Sequence, residues 1–152
     1  MLALNLPSYD TKICNKDSKQ QIFDIIRKCY VALTPEEWVR QHFVNFLVNH
    51  KEYPAALMGN EVVISLNGMK RRCDTVVYDK QLTPRAIIEY KAPTVKITKE
   101  VFAQISRYNL ILKVDYLIIS NGITHYCCKM DYERNCYTFL QEIPEYSAMT
   151  EE

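Results

Sequence analysis

Residues 61–91 read EVVISLNGMKRRCDTVVYDKQLTPRAIIEYK, and the alternation in this stretch decides the fold. Glu61 to Leu66 and Met69 to Tyr78 are extended runs. They are joined by Asn67-Gly68, the dipeptide that best tolerates the positive φ angles of a two-residue hairpin. The spacing predicts two antiparallel strands with a tight turn between them. Arg85 to Lys91 follows as a third short strand, and its Ile87-Ile88 pair reads as buried.

Working outward, Thr34-Pro35-Glu36-Glu37 predicts a helix start: a Thr N-cap, Pro at the first helical position and Glu at the third form a capping box. Val39, Phe43, Phe46 and Leu47 then make the buried stripe, and Tyr53-Pro54 closes the helix at the latest. Downstream, Thr98 caps a second helix in which Val101, Ile105, Tyr108 and Leu112 share a face. Val114 to Ser120 reads as a buried strand and Asn121-Gly122 as a turn. Two strands near His125 to Met130 and Tyr137 to Leu140 flank a loop at 131–135. The order helix, three strands, helix, strand, hairpin predicts an α/β protein built on a mixed sheet with helices packed against it.

The flanks are less periodic. Residues 22–33 fit a helical stripe (Ile22, Ile25, Ile26, Cys29) as well as a strand (Phe23, Ile25, Cys29, Val31, Leu33), and are read as strand. Residues 1–20 are polar and residues 145–152 are acidic and short of large apolar groups, so both ends are expected to fray. That leaves one domain, 1–152, with its core at about 34–122.

Composition narrows the function classes. A net charge of +1 gives no global positive field, so any contact with nucleic acid must come from a local patch. Six cysteines occur without a CxxC, and adjacent Cys127 and Cys128 cannot easily close on each other. With no secretory signal and no apolar run near membrane-spanning length, reduced thiols in a cytoplasmic protein away from membranes are expected. The three histidines lack metal-ligand spacing with these cysteines, which argues against zinc.

The chemistry concentrates on the three strands. Glu89 and Lys91, two apart, leave the same strand face, and Asp74 lies on the strand that folds alongside. Two carboxylates brought together are costly unless something compensates, and a divalent cation does so. Asp and Glu oxygens suit Mg²⁺, whose bound water is a natural nucleophile for a phosphodiester. A Glu-x-Lys pair also arises as a solvated strand edge, where ion pairs are common and weak. Here Glu89 follows Ile87 and Ile88, a setting in which unpaired charge is hard to tolerate.

Arg72-Cys73-Asp74-Thr75-Val76-Val77-Tyr78, then Ile87-Ile88-Glu89-Tyr90-Lys91-Ala92-Pro93, then Gln104-Ile105-Ser106-Arg107-Tyr108-Asn109 form an ordered set. Over about Thr34 to Gly122 this set resembles the N-terminal nuclease domain of type I restriction enzyme restriction subunits, in particular short stand-alone members of that family. The resemblance implies a restriction-endonuclease-like core of the PD-(D/E)xK type and metal-dependent DNA cleavage. It casts Asp74 and Glu89 as ligands of Mg²⁺ or Mn²⁺ and Lys91 as the residue that positions or activates the attacking water.

The same family places a glutamate in the first helix. At about 100° per residue Glu36 shares the face of Val39, Arg40, Phe43 and Leu47, while Glu37 points away, so Glu36 is the candidate and Glu37 the capping-box residue. Gln104 and Tyr108 match the family's Gln-x-x-x-Tyr element, which implies a place near DNA or beside Lys91. Arg72, in the run Lys70-Arg71-Arg72, is a candidate phosphate contact, and alternation puts Arg71 on the opposite side from Lys70 and Arg72. Lys96, Lys99 and Arg107 are further candidates.

One departure from the family is plain. Its restriction subunits carry a motor after this domain, and no GxxxxGK[ST] loop occurs here, so no use of ATP is expected. Cutting both strands of a duplex is simpler with two sites, which favours a homodimer. The competing expectations are a non-catalytic DNA- or protein-binding module that retains the nuclease fold, and a purely structural interaction protein whose tyrosine-rich surface makes a homo-oligomer.

Overall fold

The computed structural model describes residues 2–66 and 68–151, the side chains of Leu66, Tyr108 and Ile111 excepted. In chain order the elements are β1 (Ile13–Lys16), β2 (Lys19–Asp24), β3 (Cys29–Ala32), α1 (Pro35–His50), a 3-10 turn (Ala55–Leu57), β4 (Met58–Leu66), β5 (Met69–Tyr78) and β6 (Pro84–Tyr90). After these come α2 (Lys99–Leu112), β7 (Tyr116–Ser120), β8 (His125–Asp131), β9 (Cys136–Leu140) and α3 (Tyr146–Met149). β1, β2 and β3 form a small antiparallel sheet, and β4 to β9 form a second sheet in sequential order. Only β6 and β7 pair in parallel among these strands, Ile88 opposite Ile118, and α2 is the crossover that parallel pairing requires. The mixed sheet expected from sequence is therefore the one observed.

Alternation along β6 and β7 assigns the helices to opposite faces. Ile88 and Ile118 pack with Val39, Phe43, Val44 and Leu47 of α1. Leu117 and Ile119 pack with Phe102 and Ile105 of α2, while Ile87 joins Leu112, Val76 and Cys73. Ile87, Ile88, Leu117, Ile118 and Ile119 are all fully buried, so the central strands are covered on both sides. Each such side chain contributes about 1.5–3 kcal/mol by leaving water.

β5 and α2 run as the sequence predicts. Thr98 caps α2, its hydroxyl accepting from the Val101 amide at 3.2 Å. Asn67 of the expected hairpin lies outside the described residues. The strands flanking it pair Leu66 with Met69, and Gly68 has φ +79°. At the second expected turn, Gly122 has φ +85°, and a Cβ there would come within 2.7 Å of Leu4. Both the conformation and the close approach call for glycine.

The ends depart from expectation. Instead of fraying, residues 2–20 contain β1 and the start of β2, and Leu4 and Leu6 pack on the main core. Residues 145–152 hold α3, where Met149 is fully buried and Tyr146 nearly so. Residues 22–33 are not one strand but the end of β2, a turn, and β3. Asp24 makes that turn: its Oδ1 accepts from the amides of Ile26 at 2.7 Å and Arg27 at 2.9 Å, and Lys28 takes φ +55°. Among the described residues, no helix is long and apolar enough to cross a membrane, and all six cysteines are free.

Candidate active site

A cleft of about 630 Å³ opens where the N-terminus of α1, the small sheet and β4 to β6 meet. Asp74, Glu89, Lys91, Arg72 and Glu36 all line it, together with Arg27, Arg40, Glu37, Glu61 and Tyr90. Five side chains singled out from sequence thus share one cavity. Gln104 does not join them: it is exposed on α2 and is not among the lining residues. The Tyr108 side chain is outside what is described.

Strand register builds the centre of the cleft. β5 and β6 pair Thr75 with Ile88, so one step further Asp74 comes opposite Glu89. The Tyr90 amide, at the end of β6, donates to Asp74 Oδ2 at 2.9 Å. This bond holds the aspartate against the neighbouring strand, close enough for its charge to act on the Glu89 carboxyl. Burial, then the charge of Asp74, push the Glu89 carboxyl above the ordinary carboxylate range, against the opposing pull of Arg71 and Lys91. Lys91 follows directly, its amide anchored to the Ser120 carbonyl of β7 at 2.9 Å.

Arg71 and Lys91 act on Glu89, and Arg72 lines the same cleft; of these, Lys91 and Arg72 are the site residues expected from sequence. Arg71 Nη2 donates to Glu89 Oε1. Strand alternation sets Arg71 apart from Arg72 but does not name this partner. Arg72 is exposed at the rim, with Nε 3.9 Å from Glu61.

The first-helix glutamates are arranged differently from the angular argument. Glu37 is buried and Glu36 exposed. A single buried stripe on α1 would leave Glu37 in solvent, but Gln41 and His42 are buried too, and Tyr9 of the N-terminal segment packs edge-on against His42. The Thr34 hydroxyl accepts from the Glu37 amide at 3.0 Å, yet the Glu37 carboxylate does not complete the capping box. Its oxygens accept instead from Arg40 at 2.6 and 2.9 Å, Gln41 at 2.9 Å and Arg27 at 2.9 Å. Burial raises the Glu37 pKa, but the bonds from Arg40 and Gln41 outweigh it and hold the carboxyl below its ordinary value.

Sequence reasoning missed this polar cluster. Arg27 also reaches Asp24 Oδ2 at 2.5 Å, Asn60 donates to the same oxygen at 2.9 Å, and Thr75 donates to Asn60 Oδ1 at 2.7 Å. Tyr90 OH donates to Thr75 Oγ1 at 3.0 Å. The signal that could have found it is the excess of charge within α1, where Arg40 falls on the apolar face.

Among the described residues, no group of three or more His, Cys, Asp or Glu side chains is placed to hold a metal ion. The donor set at the cleft centre is a carboxylate pair, Asp74 with Glu89. Two carboxylates with the remaining positions left to water is a coordination Mg²⁺ commonly adopts, so the residues fit that ion.

The family profile described as type I restriction enzyme R protein N terminus (HSDR_N) matches residues 35–144. Among solved structures, a fragment described as an HsdR subunit of a type I restriction enzyme from Vibrio vulnificus YJ016 is similar at 18% identity and a TM-score of 0.51. That match covers 77% of this chain and 25% of the other. A DrdV–DNA complex is similar at 13% identity and a TM-score of 0.44, with 76% of this chain and 11% of that one covered. The chain thus spans about a quarter or less of each of these longer proteins. Proteins of curated function yield no match. With the matched segment running from the first residue of α1 past the end of β9, the chain belongs to the family of type I restriction enzyme R protein N-terminal domains.

Proposed function

We propose that the protein is a metal-dependent phosphodiester hydrolase acting on DNA, of the PD-(D/E)xK type. The observation that carries this reading is the strand register that sets Asp74 opposite Glu89 in an open cleft, with Lys91 lining the same space. Asp74 and Glu89 would hold Mg²⁺ or Mn²⁺, which supplies an acidified water and stabilises charge developing on the phosphate. Lys91 orients that water and offers positive charge to the phosphoryl oxygens. Arg72 at the rim guides the backbone phosphates, and Glu36, exposed and lining the same cleft, borders the path of the strand. Family membership supports DNA as the substrate. A pair of copies, each with one cleft, would cut both strands in the cytoplasm without ATP.

Nicking of supercoiled plasmid in Mg²⁺ or Mn²⁺, run beside Lys91→Ala, tests the proposal. Cleavage by the wild type that vanishes in the variant supports it, and equal cleavage by both removes Lys91 from the chemistry.

One observation favours a second reading, a DNA- or protein-binding module that keeps the fold without catalysis. Arg71 already pairs with Glu89, so part of the charge at the carboxylates is offset by the chain itself. Salt-dependent DNA binding without hydrolysis in Mn²⁺ would select that reading.

A further inference from the structure

The ladder between β4 and β5 is interrupted at the candidate aspartate. Asn60 pairs with Thr75 and Val62 with Cys73, but Glu61, which would face Asp74, takes φ +56° and leaves the register. A left-handed conformation is uncommon for a residue with a side chain, and it persists where surroundings determine it. Arg40 occupies the gap. From α1 its Nη1 donates to the Asp74 carbonyl at 2.9 Å, while Nη2 donates to Glu61 Oε1 at 3.0 Å. Its other bonds, Nε to Glu37 Oε2 and Nη2 to Glu37 Oε1, fix the guanidinium on the helix.

The same guanidinium closes a circuit. Glu37 accepts from Arg27, Arg27 binds Asp24, Asp24 accepts from Asn60, and Asn60 accepts from Thr75, the residue after Asp74. Side chains from β2, α1, β4 and β5 are thus linked beside Asp74, and Arg40 carries the link to its backbone. We infer that Arg40 is a positioning residue for Asp74, setting through the Asp74 carbonyl the place from which its carboxylate meets Glu89 and the Tyr90 amide. The inference deepens the hydrolase reading and rests on it for its functional meaning. Its geometric content stands apart.

Arginine is suited to this task because its planar fork serves several acceptors at fixed angles, whereas lysine supplies one point charge. A role of this kind, behind the ligands of a metal, costs about 10–100-fold in metal affinity when removed.

The experiment uses the full chain, as wild type, Arg40→Lys, Glu37→Gln and, as a comparator remote from the cleft, Tyr53→Phe, which loses the bond from Tyr53 OH to the Pro144 carbonyl. In metal-free protein the Tyr90 amide is followed by its nitrogen–proton resonance and its hydrogen exchange. In Arg40→Lys the resonance is expected to move and exchange to quicken by on the order of tenfold, as the bond to Asp74 Oδ2 loosens. Glu37→Gln, which keeps the shape but weakens the clamp on Arg40, is expected to change both in the same direction, and decides the matter if Arg40→Lys does not fold. Titration with MnCl₂ is expected to show affinity lowered about tenfold in these two variants and unchanged in Tyr53→Phe. An unmoved Tyr90 amide in the folded variants, or an equal change in Tyr53→Phe, overturns the inference. Absence of Mn²⁺ binding by the wild type counts against the hydrolase reading instead, and leaves the amide measurement to decide the role of Arg40.

Discussion

Asp74 Oδ2 accepts the backbone amide of Tyr90 at 2.9 Å, so the aspartate is tied to the strand that carries Glu89 by a bond independent of any bound ion. The cleft is therefore partly built before a ligand arrives. Its carboxylates are held together against their repulsion by strand register and by the backbone.

Lys91→Ala should separate chemistry from folding. The side chain is half-exposed just after β6, so its removal should change stability by no more than about 0.5 kcal/mol. Loss of a residue that positions or activates the attacking water should lower the cleavage rate by about 10²–10⁴-fold. Single-turnover nicking rates, set beside thermal melts of the same preparations, check both halves.

Glu89 is held above the ordinary carboxylate range in the fold, so the folded protein keeps that proton more tightly than the unfolded chain. Stability is then lost as pH rises from the ordinary carboxylate range towards neutrality and beyond. In EDTA at pH 8, Glu89→Gln should melt higher than wild type by roughly 2–4 °C, about 1 kcal/mol. The advantage should fade as pH approaches 4. A variant that melts lower across the whole range contradicts the burial and repulsion assigned to Glu89.

Asp24 and Glu37 have the opposite sign. Burial raises both, but hydrogen bonds hold both below their ordinary values: to Asp24 from Arg27 and Asn60, to Glu37 from Arg40 and Gln41. Their stabilisation is complete above the ordinary carboxylate range and disappears as pH falls through the lowered values. Asp24→Asn should cost about 1–3 kcal/mol at pH 6. Its deficit against wild type should shrink as the pH is taken below 3 in a series of denaturant titrations.

Met149→Ala tests the C-terminal end. The side chain is fully buried within the main core and receives a contact from Tyr53 OH at 3.5 Å. Truncation should cost about 2–5 kcal/mol by urea unfolding, whereas a frayed end would give almost nothing.

Much of the architecture was legible because it is written in period and punctuation. Alternation from Met69 to Tyr78 gave β5, and Thr98 before Val101, Ile105 and Leu112 gave α2. The small N-terminal sheet was not, since its turns use residues that do not announce themselves. Asp17 and Ser18 take φ +52° and +65° where Asn-Gly would be the recognisable signal, and Asp24 folds its own turn through its carboxylate. The same sheet, with the segment before it, covers the flank of α1 that carries Glu37: Arg27, in the turn between β2 and β3, bonds its carboxylate. An angular count on an isolated helix cannot register a second wall that packs on its other flank. The trio Asp74, Glu89 and Lys91 was visible because strand spacing alone places two of them, whereas Arg40 acts through a backbone carbonyl, and no residue pattern encodes that contact.

Calorimetric titration of MnCl₂ into wild type and Asp74→Asn bears most directly on the carboxylate pair as a cation site. One site in the wild type, weakened at least tenfold by the isosteric variant, is the expected result. Equal affinity in the two proteins, or no heat of binding in either, would contradict it.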